Sequence, residues 1–238
     1  MKPAIKTLLA VAVMTGCLFT AAGSEQMAGQ SPELQRVLKQ LDEASRKFKA
    51  TQANVVWNEY HKVVNETDTQ KGMIYFRREG GGVEMAVDFT DPDKKYIRYK
   101  DGKVEVYLPG KDEVDEYNPG KNRAADVESY LVLGFGGSGQ DLLKSYDVRF
   151  AGTQIVDGIN TEELELIPKS SRLRSDFIAR ILLWIDPAPG ISLQQQYFEP
   201  GGSDFRLVKY SDIKIDQKIP DDVFKLKTTK KTKFVPQG

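Results

Sequence analysis

The most glycine-dense stretch of the chain, Gly134-Phe135-Gly136-Gly137-Ser138-Gly139, has the composition of a loop that cradles phosphate. A P-loop, however, ends in Gly-Lys-Ser/Thr at the start of a long helix, so that the Lys reaches the terminal phosphates and the hydroxyl holds magnesium. Neither group follows here, and nucleotide is not an expected ligand. The stretch reads instead as a flexible connection, or as a hinge beside Leu131, Leu133 and Phe135 of the kind a moving lid needs. Asp112-Glu113-Val114-Asp115-Glu116 puts four carboxylates in five residues. The Asp-x-Asp-x-Asp-Gly spacing of a calcium loop is missing, so this is read as a solvated strand or turn. His61 has no second histidine with which to share a metal and no elbow serine to activate, and reads as a surface or packing residue. Carboxylates paired across distance leave no trace in a sequence, and nothing here supports them.

The 238 residues carry 34 Lys and Arg against 34 Asp and Glu, with one Cys and one His. A neutral balance argues against a general polyanion binder, whose affinity comes from surplus basic side chains releasing phosphate counterions, so nucleic acid is not an expected partner. Single Cys and His residues leave no zinc cluster and no disulfide framework, and neither metal nor cofactor is expected. The N-terminus has the layout of a signal peptide: Lys2 and Lys6, an apolar run over 8–19, then Thr20-Ala21-Ala22-Gly23. That run is shorter than the ~20 residues a membrane span needs. Residues 1–23 are therefore expected to be cleaved, leaving 24–238 as one exported, soluble domain. Met14-Thr15-Gly16-Cys17 loosely resembles a lipobox, which would keep an acylated Cys17 as the new N-terminus. Leu18-Phe19 continue the apolar run where lipoproteins usually turn polar, which favours simple cleavage. At the other end Lys225, Lys227, Lys230, Lys231 and Lys233 form a basic tail, read as a disordered solvated end or as a patch for an anionic surface.

The elements that must position any site are mostly strands. Leu34, Val37, Leu38, Leu41, Ala44, Ser45 and Phe48 recur at three- and four-residue steps, one stripe of an amphipathic helix. Ser31 suits its N-cap, Pro32 its first position and Glu33 the positive end of its dipole. Residues 55–63 and 73–78 are rich in β-branched and aromatic types. Val83, Met85, Val87 and Phe89 then alternate with Glu84, Ala86 and Asp88, so one face is buried and the other wet. Residues 96–100 and 103–108 flank Asp101-Gly102, the signature of a type I′ hairpin, and Pro109-Gly110 leads to 113–117. Tyr146, Val148 and Phe150 alternate before an Asp157-Gly158 turn and residues 161–167, where Leu164 and Leu166 oppose Glu163 and Glu165. Residues 178–185 pair with 191–198, and 205–215 is the last long strand. Only 118–144 breaks the series, with a short helix expected over 126–133. About ten or eleven strands at this spacing predict a mainly β, α+β fold. It is an incomplete, strongly curved antiparallel barrel whose hollow is covered by the N-terminal helix and the helical insertion.

Several of these segments, taken in order, resemble the periplasmic outer-membrane lipoprotein carrier family, LolA. The helix over 31–50 is similar to the family's first helix. Gly72-Met73-Ile74-Tyr75-Phe76-Arg77-Arg78-Glu79 is similar to its Gly-x-Leu-x-x-Lys-Arg-Pro signature, and the hairpin around Asp101-Gly102-Lys103 to the one that follows. Leu182-Leu183-Trp184-Ile185-Asp186, Tyr210-Ser211-Asp212-Ile213 and Ile219-Pro220-Asp221-Asp222-Val223-Phe224 look like its closing strands. Glu79 stands where the family has Pro, Gly80-Gly81-Gly82 replaces a segment that usually carries an aromatic, and the family's C-terminal extension is not recognisable in the Lys-rich tail.

The resemblance implies an incomplete barrel enclosing an apolar cavity for the acyl chains of lipoproteins crossing the periplasm. It also implies an inner-membrane transporter that loads the carrier and an outer-membrane receptor that unloads it. Arg78 matches the family's latch arginine, which hydrogen-bonds the helical lid. The apolar sides of the alternating strands give the candidate lipid-binding residues: Met73, Val83, Met85, Val87, Val104, Val106, Leu164, Leu166, Ile181 and Leu183. Leu38 and Leu41 of the helix and Leu133 and Phe135 of the insertion give the cover. The same residues would line a fully packed core. A carrier without catalytic activity is the expected function; a lipid-sensing or signalling module of the same fold and a carboxylate-dependent hydrolase are the alternatives.

Overall fold

The computed structural model describes residues 30–237 except 80–81, 121–126, 132 and 202. The expected signal peptide over 1–23, Cys17 and the first residues of the domain lie outside these, as does part of the helix expected over 126–133. The amphipathic stripe becomes α1 (Pro32–Ser45), in which the Ser31 hydroxyl oxygen accepts from the backbone N–H of Leu34 at 3.2 Å. Leu34, Val37, Leu38 and Leu41 bury its apolar side. The helix stops short of Phe48, expected as the end of the stripe. That residue reaches the core from the connection to the first strand, its N–H still bonded to the Ala44 carbonyl at 3.1 Å.

Six strands follow in order: β1 (Ala50–His61), β2 (Glu66–Glu79), β3 (Gly82–Asp91), β4 (Lys95–Lys100), β5 (Lys103–Leu108) and β6 (Glu113–Tyr117). A helical turn at 127–131 and α2 (Gly139–Ser145) make up the insertion. Then come β7 (Tyr146–Val156), β8 (Ile159–Pro168), α3 (Ser171–Asp176), β9 (Arg180–Asp186), β10 (Ile191–Phe198) and β11 (Phe205–Ile215). A 3-10 turn (Asp221–Phe224) precedes β12 (Lys233–Gln237). The strands form one open, strongly curved sheet in the order β12-β6-β5-β4-β3-β2-β1-β11-β10-β9-β8-β7. Two antiparallel meanders are joined by β1 pairing with β11, and the sheet's edges, β12 and β7, are not bonded to each other. Both expected Asp-Gly hairpins form: Asp101 and Gly102 sit at φ +52° and +77°, Asp157 and Gly158 at +49° and +80°, as a type I′ turn requires.

Twelve strands replace the ten or eleven expected, and the addition is the Lys-rich tail. Its end is an ordered strand, not the disordered end expected, though still largely exposed: β12 pairs with β6, the one parallel pair among the described strands. Asp112, in the turn before β6, holds the tail's approach by accepting from the hydroxyls of Thr229 at 2.8 Å and Thr232 at 2.5 Å. Asp115 accepts from the Gln237 amide at 2.6 Å. The acidic run is thus the penultimate strand and its turn, binding the chain's own Lys-rich tail.

Directly paired residues share a face, and side chains alternate along each strand. Register therefore assigns Ile74, Phe76, Met85, Val87, Ile97 and Tyr99 to the inner face, and Tyr75, Arg77, Glu84, Ala86, Tyr96 and Arg98 to the outer one. The segment after β11 straps across this outer face. Ile219 and Phe224 bury themselves against Ala50 and Ala86, flanked by Tyr75, Tyr96 and Val223. The Arg77 guanidinium lies 4.3 Å over the Phe224 ring and donates to Asp221 at 2.6 Å and to Glu84 at 2.6 Å. Arg98 donates to the Phe224 carbonyl at 3.3 Å.

Phe224→Ala is expected to cost about 3 kcal/mol in denaturant unfolding; an unchanged midpoint would mean that the strap adds nothing to the fold. Acid provides a second check. The hydrogen bond from Arg77 holds Asp221 below the ordinary carboxylate range, and those from Thr232 and Thr229 do the same for Asp112. A lowered folded value means their contribution is complete above the unfolded value of ~4 and fades as pH falls through the folded one. Amide protection in the strap and β12 is expected to drop below about pH 4 before that of β1–β3 does, as hydrogen exchange would show.

Candidate functional site

The inner face and its cover form one apolar cluster. Leu164, Leu166, Ile181 and Leu183 are fully buried in it, and Met85 and Val87 nearly so. Val83 and Val104 pack against it half-buried, and Val106, opposite Ile97, shares its face. Leu38 and Leu41 from α1 and Leu133 and Phe135 from the insertion are all buried on top of them. Met73 does not join them. Paired with Asp88, it points to the outer face, while its neighbours Ile74 and Phe76 point inward. The expected hollow is largely filled: Phe76 stacks on Phe135 at 5.8 Å, Phe48 leans on Phe76 at 5.7 Å, and Phe135 meets the Tyr210 ring edge-on at 5.0 Å.

Arg78 sits on the inner face at the end of β2, opposite Val83. Its guanidinium donates to the Gly136 carbonyl at 2.7 Å and to the Ser45 carbonyl at the end of α1 at 3.4 Å, and lies 5.9 Å from the Phe48 ring centre. Its backbone N–H bonds to the Lys49 carbonyl at 2.8 Å. One side chain thus ties both parts of the cover to the sheet. A cleft of about 430 Å³, lined by polar Ser138, Asp141 and Lys144 among others, opens beside it.

The glycine-rich stretch is a tightly packed part of that cover and not a flexible connection. Phe135 forms a β-bridge with Ile191, and the Ser192 N–H bonds to the Gly134 carbonyl at 2.9 Å. Gly134 and Gly136 lie at φ +76° and +67°. A Cβ at Gly136 would fall 2.3 Å from the Phe48 ring, and one on Gly139 would fall 2.6 Å from the Leu38 carbonyl, where α2 crosses α1. Here glycine permits close approach more than motion.

One buried polar group holds the insertion from below. Gln195, in β10 on the inner face, donates to the Leu133 carbonyl at 2.8 Å, and its side-chain oxygen accepts from the hydroxyls of Tyr210 at 3.1 Å and of Tyr197. Burial pushes both phenols well above their ordinary range, so they remain donors at any physiological pH. No local pattern points to this knot, since Gln194, Gln195 and Gln196 look alike until register selects the middle one.

The cluster opens at the end of the sheet away from Arg78. An apolar pocket of about 260 Å³ is lined by Pro119, Val127, Tyr130, Leu173, Phe177 and Ile178, with Arg172 and Arg206 at its sides. Ile178 is core, Tyr130 packs edge-on to Tyr197 at 5.2 Å, and Phe177 is exposed. α3, which supplies Arg172 and Leu173, was not expected from the sequence, although Ser170 caps it through the Leu173 N–H. His61, at the outer end of β1, pairs with Asp68 at 3.3 Å. Among the described residues no group of three or more His, Cys, Asp and Glu side chains could hold a metal ion, and no helix is long and apolar enough to cross a membrane.

No protein-family model matches the chain, and no curated protein matches it. Among solved structures it is similar to MucB, with 17% identity over 82% of this chain and 63% of that one, at a TM-score of 0.52. It is similar also to an uncharacterized conserved protein from Thermus thermophilus, with 13% identity over 86% and 99% and a TM-score of 0.55. LolA superfamily protein NE2245 from Nitrosomonas europaea stands among the neighbours at 15% identity over 81% and 97%, with a TM-score of 0.41. The chain shares its fold with MucB and the Thermus thermophilus protein. It spans less than two thirds of the MucB chain, and the likeness is one of architecture.

Gly136→Ala tests the packed cover directly. The left-handed backbone and the collision with Phe48 are expected to lower stability by about 2 kcal/mol, read as a shift in denaturant midpoint; a flexible connection would tolerate the change.

Proposed function

We propose that the protein is a periplasmic carrier that shelters the acyl chains of lipoproteins, or of another lipid, between its sheet and its cover, and that it acts without catalysis. The observation that carries this reading is the way the inner face is covered. The face is mostly apolar, and α1 and the insertion lie on it mainly by side-chain packing, pinned at a few polar points that include Arg78, Gln195 and the Phe135 bridge. Hydrocarbon entering this space replaces apolar contacts with apolar contacts, so displacing the cover exposes little greasy surface to water. Each methylene buried contributes ~0.8 kcal/mol, which gives affinity without any specific polar group. The filled interior means that uptake requires the cover to move, and Arg78 is the latch of that movement.

Export to the periplasm rests on the sequence layout of residues 1–23, and partners at the two membranes rest on the resemblance to the LolA family. A second reading has its own observation in the likeness to MucB, a protein solved in complex with MucA. On that reading lipid in the hollow changes a surface seen by a protein partner. Native mass spectrometry of protein isolated from a periplasm, followed by transfer of the bound lipid to acceptor membranes, separates the two: a carrier gives up its cargo and a sensor keeps it.

Arg78→Leu removes two hydrogen bonds made by a charged donor. The variant is expected to take up and release a fluorescent fatty acid about tenfold faster with its fold intact. Stopped-flow rates equal to those of the original protein would show that Arg78 does not hold the cover shut.

A further inference from the structure

We infer that the open end of the hollow is a portal selective for amphiphiles with an anionic headgroup, phosphate or carboxylate, which Arg206 and Arg172 receive while the first part of one acyl chain enters the apolar pocket. The inference rests on the carrier reading and names the chemistry of its cargo. Register puts Arg206 on the inner face of β11, opposite Tyr197 on one side and Glu59 on the other. Its guanidinium carbon lies 6.0 Å from the ring centres of both Trp57 and Tyr197. Its Nε is buried and has no hydrogen-bond acceptor among the described residues; the nearest carboxylate oxygen recorded for it, on Glu199, is 3.8 Å away. A buried N–H without an acceptor is costly to keep, and the side chain that carries it lines an apolar pocket open to solvent.

Arg172 stands on the same pocket from α3, with its side chain 62% exposed and Asp176 beside it at 3.6 Å. Lys95, over the Phe89 ring at 4.8 Å and facing Glu59, is a further cation on the inner face, on β4 and outside the pocket's lining. A guanidinium held between aromatic faces is weakly hydrated and forks naturally onto phosphate or carboxylate oxygens. At about 260 Å³ the pocket is smaller than the ~300 Å³ at which whole-ligand sites begin. It holds the start of a chain, and the remainder needs the cover to move.

Direct binding of palmitoyl lysophosphatidylglycerol, palmitoyl lysophosphatidylcholine and palmitate, each below its micelle concentration, tests the inference. Lysophosphatidylglycerol is expected to bind about tenfold more tightly than the zwitterionic lysophosphatidylcholine. Arg206→Gln should abolish that preference, and Arg172→Gln, on an exposed helix face where folding is not at risk, should reduce it. If palmitate shares the advantage over lysophosphatidylcholine, any anionic head suffices; if it does not, the portal reads phosphate. Equal binding of the two lysolipids, or a preference untouched by both substitutions, overturns the portal and leaves the carrier standing. Failure of all three to bind overturns both.

Discussion

A sheet that curls this strongly turns one face in on itself, and in this chain that face is mostly apolar from β8 round to β4, its charged side chains standing near the strand ends at Arg78, Glu59, Lys95 and Arg206. Everything else follows from the need to keep water off it. Backbone bonds cannot do this, because the ladders lie in the sheet and leave only side chains on its surface. The chain supplies α1 before the first strand and an insertion between the two meanders. Both are laid over the concavity by Leu34, Val37, Leu38, Leu41, Leu133 and Phe135. Closing the barrel would have removed the edges but sealed the interior; leaving it open at β12 and β7 keeps a cover that is a separate part.

The two neighbouring arginines at the end of β2 show how little polar chemistry this takes. Because successive side chains in a strand point to opposite faces, Arg77 and Arg78 face different layers. Arg77 holds the C-terminal strap by Asp221 and the Phe224 ring, on the outside. Arg78 holds the cover by the carbonyls of Gly136 and Ser45, on the inside. Outside, burial works against the charges, but the hydrogen bonds among Arg77, Asp221, Glu84 and Lys100 prevail, raising the arginine and lowering Glu84. Inside, the acceptors are neutral carbonyls, so no carboxylate has to be desolvated with the cover, and breaking the contact leaves one long cation that reaches water easily.

Much of this was legible in advance, and the misses have physical causes. Alternation located the strands, and the Asp-Gly turns fixed two hairpins, because each signal is local. Met73-Ile74-Tyr75-Phe76 is apolar at every position, so its phase cannot be read from the strand itself; only pairing with the clean alternation of β3 turns Met73 outward. β12 is short, contains Pro236, and finds its partner β6 more than a hundred residues away, a contact that no local pattern encodes. Gln195 is hidden among three glutamines, and the register shift between Ser192 and Gln194 is what sends the middle one inward. The glycines of 134–139 suggested freedom because glycine is permissive. Their reason is contact: Phe48 and Leu38 lie where side chains would be.

A filled interior changes what affinity means for a carrier of this kind. If the hollow stood empty, cargo would gain the whole hydrophobic contribution of its chains, and release would be correspondingly slow. Here the protein's own Leu and Phe side chains occupy the space, and on the carrier reading acyl chains would compete with them. The net affinity is then the difference between two apolar packings, less the hydrogen bonds of Arg78 and the disturbance around Gln195. Such a difference is small enough to be reversed by a receiving surface of modest advantage. On the carrier reading the cover would serve as a built-in competitor as well as a roof, and its fit, more than the volume beneath it, would set how tightly lipid is held.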